Sequence, residues 1–160
     1  KKIIGMDGVT KYKNYYNEHL EKGLEYQDFV ANLLLKEVGI PLSSLSSKKH
    51  QYSVGENLQG IEIKFDDLYK KTGNLYIEVK EKADPNNKDY IDSGIYRSDN
   101  SWIYLIGDYN EIFLFGKSHL KLIHQTGRYK EVIKPTSIGF LLNKLVAEKY
   151  CLKKINYGKS

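Results

Sequence analysis

Leu20, Leu24, Ala31, Leu34, Leu35 and Val38 recur largely at three- and four-residue steps, which predicts a helix from about Tyr15 to Val38 with one face toward a core. Gly39 and Pro41 supply its stop. A polar, basic loop, Ser43 to His50, follows without periodicity. The pattern then shortens to alternation, and three strands are expected: Gln51 to Gly55, Gly60 to Asp66 and Asn74 to Lys82. Thr72-Gly73-Asn74 reads as the turn of a hairpin joining the last two, and Asp84-Pro85-Asn86-Asn87 as a further turn. From there to Asn100 only a loop is expected. Trp102 to Ile106 and Glu111 to Phe115 form a second expected hairpin around Gly107-Asp108-Tyr109-Asn110. A short helix should begin near Lys117 and end before Gly127, with a strand near Tyr129 to Ile133. A last helix is expected after Pro135, capped by Thr136 and running to about Leu152, with Ile138, Leu141, Leu142, Leu145 and Val146 inward. Helix, strands, loop, strands and helices in this order predict an α/β domain, a mixed sheet flanked by helices, spanning residues 1–160 as a single unit.

The chemistry concentrates on the expected hairpin. Side chains alternate faces along a strand. Ile61, Ile63 and Phe65 therefore oppose Glu62, Lys64 and Asp66, while Leu75, Ile77 and Val79 oppose Tyr76, Glu78, Lys80 and Lys82. In one register Glu62 meets Lys80 and Lys64 meets Glu78, a lattice of ion pairs each stabilised by about 0.2–1 kcal/mol. Registers shifted by two residues set Glu62 or Asp66 against Glu78 instead. Facing carboxylates repel unless a cation lies between them, which a magnesium site supplies. Alternation alone does not choose among these.

Composition narrows the classes. The chain is 41% hydrophobic and 28% charged, which favours a folded globular domain over disorder. Its net charge of +5 favours an acidic partner such as nucleic acid. Cys151 is the single cysteine, which excludes an internal disulfide and reads as a packed thiol near the end of the last helix. No apolar stretch approaches the ~18 residues of a membrane span, and Lys1–Gly8 has no signal-peptide apolar region, so a cytoplasmic protein is expected. His50, His119 and His124 lack zinc-ligand spacing, and neither a phosphate-binding glycine-lysine loop nor a nucleophile elbow is present.

A Glu25-bearing helix, an acid near the end of a strand, a turn, and Glu78-Val79-Lys80 on the next strand together resemble the PD-(D/E)XK nuclease superfamily, which includes restriction endonucleases and Holliday-junction resolvases. The resemblance covers roughly residues 20–82. Phe65, not proline, precedes Asp66, and Glu62 competes with Asp66 as the strand acid, as Lys82 does with Lys80 as the lysine. The resemblance implies a restriction-endonuclease-like fold and Mg²⁺-dependent (or Mn²⁺-dependent) hydrolysis of phosphodiester bonds in nucleic acid, DNA favoured over RNA. Asp66, Glu78 and Glu62 would be metal ligands, Lys80 would act on the attacking water, and Glu25 would reach the site from its helix. Lys48, Lys49, Lys82 and Arg97 are the candidate phosphate contacts, and a homodimer is one way to address two strands. Tyr96 and Trp102 are candidates to stack on bases, although Trp102, opening an apolar strand, is expected in the core. The alternative is a non-catalytic nucleic-acid- or protein-binding module on the same fold.

Overall fold

The computed structural model describes residues 8–43 and 54–157, with side chains from residue 14 onward. Lys48 and Lys49, the polar loop beyond Ser43 and most of the strand expected over Gln51 to Gly55 lie outside them. Val54 and Gly55, the described part of that segment, are not strand.

The first helix, α1 (Gly8–Val38), is longer than its apolar stripe predicts. Its second half is the part that packs. Tyr26, Val30, Leu33 and Leu34 are buried against Ile61, Ile63, Ile103, Leu105 and Ile112, each full burial of an aliphatic side chain contributing roughly 1.5–3 kcal/mol. The strands receiving them belong to a mixed four-stranded sheet, in spatial order β1 (Ile61–Phe65), β4 (Ile103–Gly107), β5 (Glu111–Gly116), β8 (Lys153–Asn156). β1 runs parallel to β4, and the other pairs are antiparallel. A second sheet, fully antiparallel, has the order β3 (Ile91–Asp92), β2 (Asn74–Glu81), β7 (Ser137–Asn143), β6 (Glu131–Ile133). Leu75, Ile77, Val79, Phe140 and Leu142 from this sheet pack with Tyr104, Ile106, Phe113 and Phe115 from the first. The layers are therefore helix, mixed sheet, antiparallel sheet. Three short helices, α2 (Tyr69–Thr72), α3 (Lys117–Gln125) and α4 (Lys144–Tyr150), complete the chain.

Two expectations are corrected. The segments Ile61–Phe65 and Asn74–Glu81 are strands, but they do not form a hairpin. They sit in different sheets, β1 beside β4 and β2 beside β7. Between them Asp66 turns the chain into α2, and Gly73, at φ 69°, closes that single turn rather than a hairpin. The last helix is likewise shorter than expected. Ser137–Asn143 is strand, because Phe140 and Leu142 are buried with Ile138 packed beside them, a period of two, while Leu141 and Leu145 are exposed. The helix starts at Lys144, and Asn143 rather than Thr136 caps it through a 2.9 Å bond from Val146 N–H to Oδ1. Cys151 lies just past its end, half-buried. The second expected hairpin is present as β4 and β5.

β1 lies at the border of its sheet among the described residues, and its free side is occupied by side chains. Asn57 Oδ1 accepts from Ile61 N–H at 2.9 Å, and Asn57 Nδ2 donates to Ile61 C=O at 2.7 Å. Glu56 Oε2 accepts the Ile63 N–H at 3.0 Å.

Glu111 fastens the far side. It accepts from Lys144 Nζ at 2.8 Å and Tyr69 Oη at 2.6 Å, with Lys154 Nζ at 3.0 Å. Burial pushes its pKa up, but these donors outweigh burial and hold the carboxyl at about 2. A depressed carboxyl stabilises the fold fully above its unfolded value near 4.5 and loses that contribution as pH falls toward 2. Glu111→Gln is therefore expected to cost about 1–2 kcal/mol in urea unfolding at pH 7, after solvent screening, with the cost shrinking below pH 4.

Candidate active site

The parallel register of β1 and β4 decides where the charged residues of β1 go. Ile61 and Ile63 pair with Ile103 and Leu105 on the face covered by α1. Glu62 and Lys64 pair with Tyr104 and Ile106, whose side chains belong to the core between the two sheets. Both faces of β1 are thus occupied, and Glu62 lies inside the protein rather than on a solvated surface. Its side chain is 1% exposed. Among the described residues neither of its oxygens has a hydrogen-bond partner. Lys64 Nζ stands 3.5 Å from Oε1, close enough for charge attraction but not aimed as a hydrogen bond.

Burial dominates the electrostatics here. It pushes the Glu62 carboxyl up to about 7, against the pull of Lys64 and with a further push from Glu56. Glu56 is also raised, by burial first, although Lys64 and the Ile63 amide oppose this. Burial works against the charge of Lys64, but Glu62 and Glu78, with Glu56 behind them, hold its ammonium above the ordinary lysine range. Lys64 is the hub of three carboxylates, and at 34% exposure it reaches solvent where Glu62 does not.

Two clefts meet at Lys64 and Phe65. One, about 500 Å³, lies between α1 and β1 and is lined by Tyr16, His19, Gln27, Glu56, Lys64 and Arg97 among others. The other, about 160 Å³, holds Lys64, Asp66, Tyr76, Glu78 and Lys134. Asp66 and Glu78 are therefore brought together, in the smaller cleft. Asp66, however, is bound at both oxygens by backbone, Leu68 N–H at 3.2 Å and Tyr76 N–H at 2.8 Å. It staples the start of α2 to β2, and burial lifts its carboxyl against those two bonds. Glu78 Oε1 accepts from Ser93 Oγ at 2.7 Å.

The other expected residues stand apart. Lys80 follows an irregularity in the β2–β7 pairing at Val79, is exposed, and lies opposite Asp92. Lys82 donates to Asn87 C=O at 2.9 Å and covers the Tyr90 ring. Glu25 is exposed on α1 and lines neither cleft. Arg97 lines the larger cleft, with Nε 3.7 Å from Asp99. Asp99 also holds the buried Lys117 at 3.0 Å; burial raises its carboxyl, but the hydroxyl and amide of Ser101 and that ammonium outweigh burial and lower it. Trp102 is not in the core: it is 64% exposed.

Sequence reasoning passed over Glu56 and treated Lys64 only as an ion-pair partner. The signal was present. Glu62-Ile63-Lys64 is an acid-x-lysine triplet on a strand, one strand earlier than Glu78-Val79-Lys80.

Among the described residues no group of three or more His, Cys, Asp or Glu side chains is arranged to hold a metal ion, and no helix is long and apolar enough to cross a membrane. No family model matches the chain, and neither a curated protein nor a solved structure does.

Proposed function

We propose that this α/β protein is a metal-dependent nuclease, hydrolysing phosphodiester bonds in nucleic acid, with Glu56, Glu62 and Lys64 at its centre rather than Asp66, Glu78 and Lys80. One observation carries the reading: a carboxylate at 1% exposure with both oxygens unbonded among the described residues, two residues from a lysine that opens onto a 500 Å³ cleft. Leaving a buried carboxylate unsatisfied costs several kcal/mol, so such a group is kept where its charge is used.

The donors fit Mg²⁺. That ion keeps several waters and takes one or two carboxylates together with substrate phosphate, so the pair Glu56 and Glu62 suffices and a cage of three acids is not required. When bound, the ion would neutralise phosphate charge and acidify a coordinated water. Lys64, held charged by Glu62 and Glu78, would bind a non-bridging phosphate oxygen and orient the attacking water. Glu78 positions Lys64, and the Ser93 hydroxyl fixes Glu78. Arg97 lies along the same cleft for a neighbouring phosphate.

The test is cleavage of single- and double-stranded DNA and RNA by the whole chain, with Mg²⁺ and with chelator. Glu62→Gln and Lys64→Met should each lose at least about 100-fold in rate, the scale of removing one positioned transition-state donor, while Lys80→Ala keeps most of it. Loss in Lys80→Ala with retention in Glu62→Gln would return the chemistry to the Glu78 strand. The second reading, a binding module, is favoured by the neutralising position of Lys64. Tight nucleic-acid binding by folded protein without any cleavage in Mg²⁺ selects it.

A further inference from the structure

We propose that Trp102 is a stacking platform for an unpaired nucleobase of a strand whose phosphate is held at Lys64. The inference rests on the nuclease reading for its substrate class and on separate observations for the site itself. Trp102 is the largest side chain in the protein type by type, and 64% of it faces solvent. Leu58, also 64% exposed, and Val54, 40% exposed, are close by along the chain path, since Asn100 N–H bonds to Val54 C=O and Trp102 Nε1 to Gln59 C=O. This is an apolar spot on a chain of net charge +5.

The ring is also fixed. Its Nε1–H donates to Gln59 C=O at 2.9 Å, so the polar edge is spent and the π face is what remains to offer. Its backbone N–H bonds to Gly60 C=O at 2.9 Å, and its C=O accepts from Lys117 N–H at 2.8 Å. The indole rests on Gly60 so closely that a Cβ there would stand 2.6 Å from Cδ1. An aromatic plane held in this way loses little freedom on binding, which suits contact with a flat partner.

Its place along the sheet brings it to the site. Trp102 immediately precedes β4, and two residues on, Tyr104 pairs with Glu62. At about 3.3 Å per strand residue that is roughly 7 Å along β4, and Lys64, which pairs with Ile106, stands four residues on, roughly 13 Å from the ring along the sheet. Glu56, on the free side of β1, comes from the same Val54–Gly60 segment that meets the indole. A single strand with a phosphate at Lys64 and running along this direction would bring a base further along the chain, not the adjacent one, to the ring. Stacking is tolerant of base identity because every base offers a π face, so the contact would position substrate without reading sequence.

Trp102 is the only tryptophan of the chain, so its fluorescence reports this contact alone. The experiment titrates the whole protein, in chelator so that nothing is cut, with end-labelled single-stranded DNA and RNA oligonucleotides, following quenching and label anisotropy together. The free protein should show the red-shifted emission of a water-exposed indole, and quenching should track anisotropy. An oligonucleotide of the same length with abasic sites should bind without quenching. Trp102→Ala should remain folded and melt cooperatively, at a somewhat lower temperature for want of the Gln59 bond, and bind roughly 5- to 100-fold more weakly. In Mg²⁺ it should raise KM while leaving kcat nearly unchanged. Blue-shifted emission of the free protein, binding without quenching, unchanged affinity of Trp102→Ala, or no oligonucleotide binding overturns the proposal. Quenching and weakened Trp102→Ala binding without cleavage in Mg²⁺ would instead remove the nuclease reading and leave the base contact standing.

Discussion

A Glu62→Gln protein is expected to melt above the parent at pH 8 and level with it near pH 4. The unfolded carboxyl gives up its proton near 4.5, the folded one only near 7. Below pH 4.5 both states carry the proton and burial of the neutral acid is free of charge cost. Between 4.5 and 7 the unfolded chain alone ionises, so stability falls as pH rises. Above 7 the folded carboxylate is ionised as well and the full cost stays. A difference of this size corresponds to about 3 kcal/mol, or on the order of 5–10 °C in a domain of this length. Glutamine never ionises and escapes the cost, while Lys64 keeps Glu78 as a partner. Thermal melts of the two proteins across pH 4–8 provide the check, and a gap that does not widen with pH would show that Glu62 is not held as described. The same pair of proteins tests the ion. Mg²⁺ at about 100 times its dissociation constant should stabilise the parent by about 2.7 kcal/mol and leave Glu62→Gln unmoved. More stable and inactive is the signature of a side chain retained for chemistry at the expense of folding.

The second large effect is expected at Gly94. Its φ is 53°, and an added Cβ would lie 2.1 Å from the backbone oxygen of Glu78 and 2.9 Å from its Cβ. Neither neighbour is a flexible tip that can swing aside. The left-handed conformation alone costs an L-residue about 1–2 kcal/mol, and displacing β2 or the turn adds to it. Gly94→Ala is expected to lose about 3 kcal/mol or more in chemical denaturation. Function should suffer beyond stability, because Ser93 N–H bonds to Val79 C=O at 3.0 Å and its hydroxyl orients Glu78. A variant pushed off β2 releases Glu78 and through it Lys64. An unchanged midpoint would mean that this turn does not press on β2.

Local pattern carried the elements further than their partnerships. Alternation marked Ile61–Phe65 and Asn74–Glu81 as strands because each needs one apolar row whatever it pairs with. It could not show that β1 joins a strand some forty residues later, since parallel pairing leaves no turn to read. The Thr72-Gly73-Asn74 signal is real but closes one helical turn, and that difference depends on Asp66 binding the nearby Leu68 amide and the Tyr76 amide ten residues on. Ser137–Asn143 failed for another reason. In a continuous apolar run, helix and strand periods overlap, and only the exposure of Leu141 and Leu145 separates them. At the site, Glu62 was named from sequence as a ligand candidate, whereas its burial was not foreseen. The second sheet covers that face, and a polar residue in alternation gives no hint that both faces will be roofed.

Asn57 has a consequence for how molecules of this protein meet each other. By answering both amide groups of Ile61 with one side chain, it does the work of an adjoining ribbon in the space of a single residue. The rim of the sheet offers no template there for another molecule to zip onto. Among the described residues no further strand pairs with β1 there, so the side of β1 that carries Glu56 is finished by side chains and not by a neighbouring ribbon.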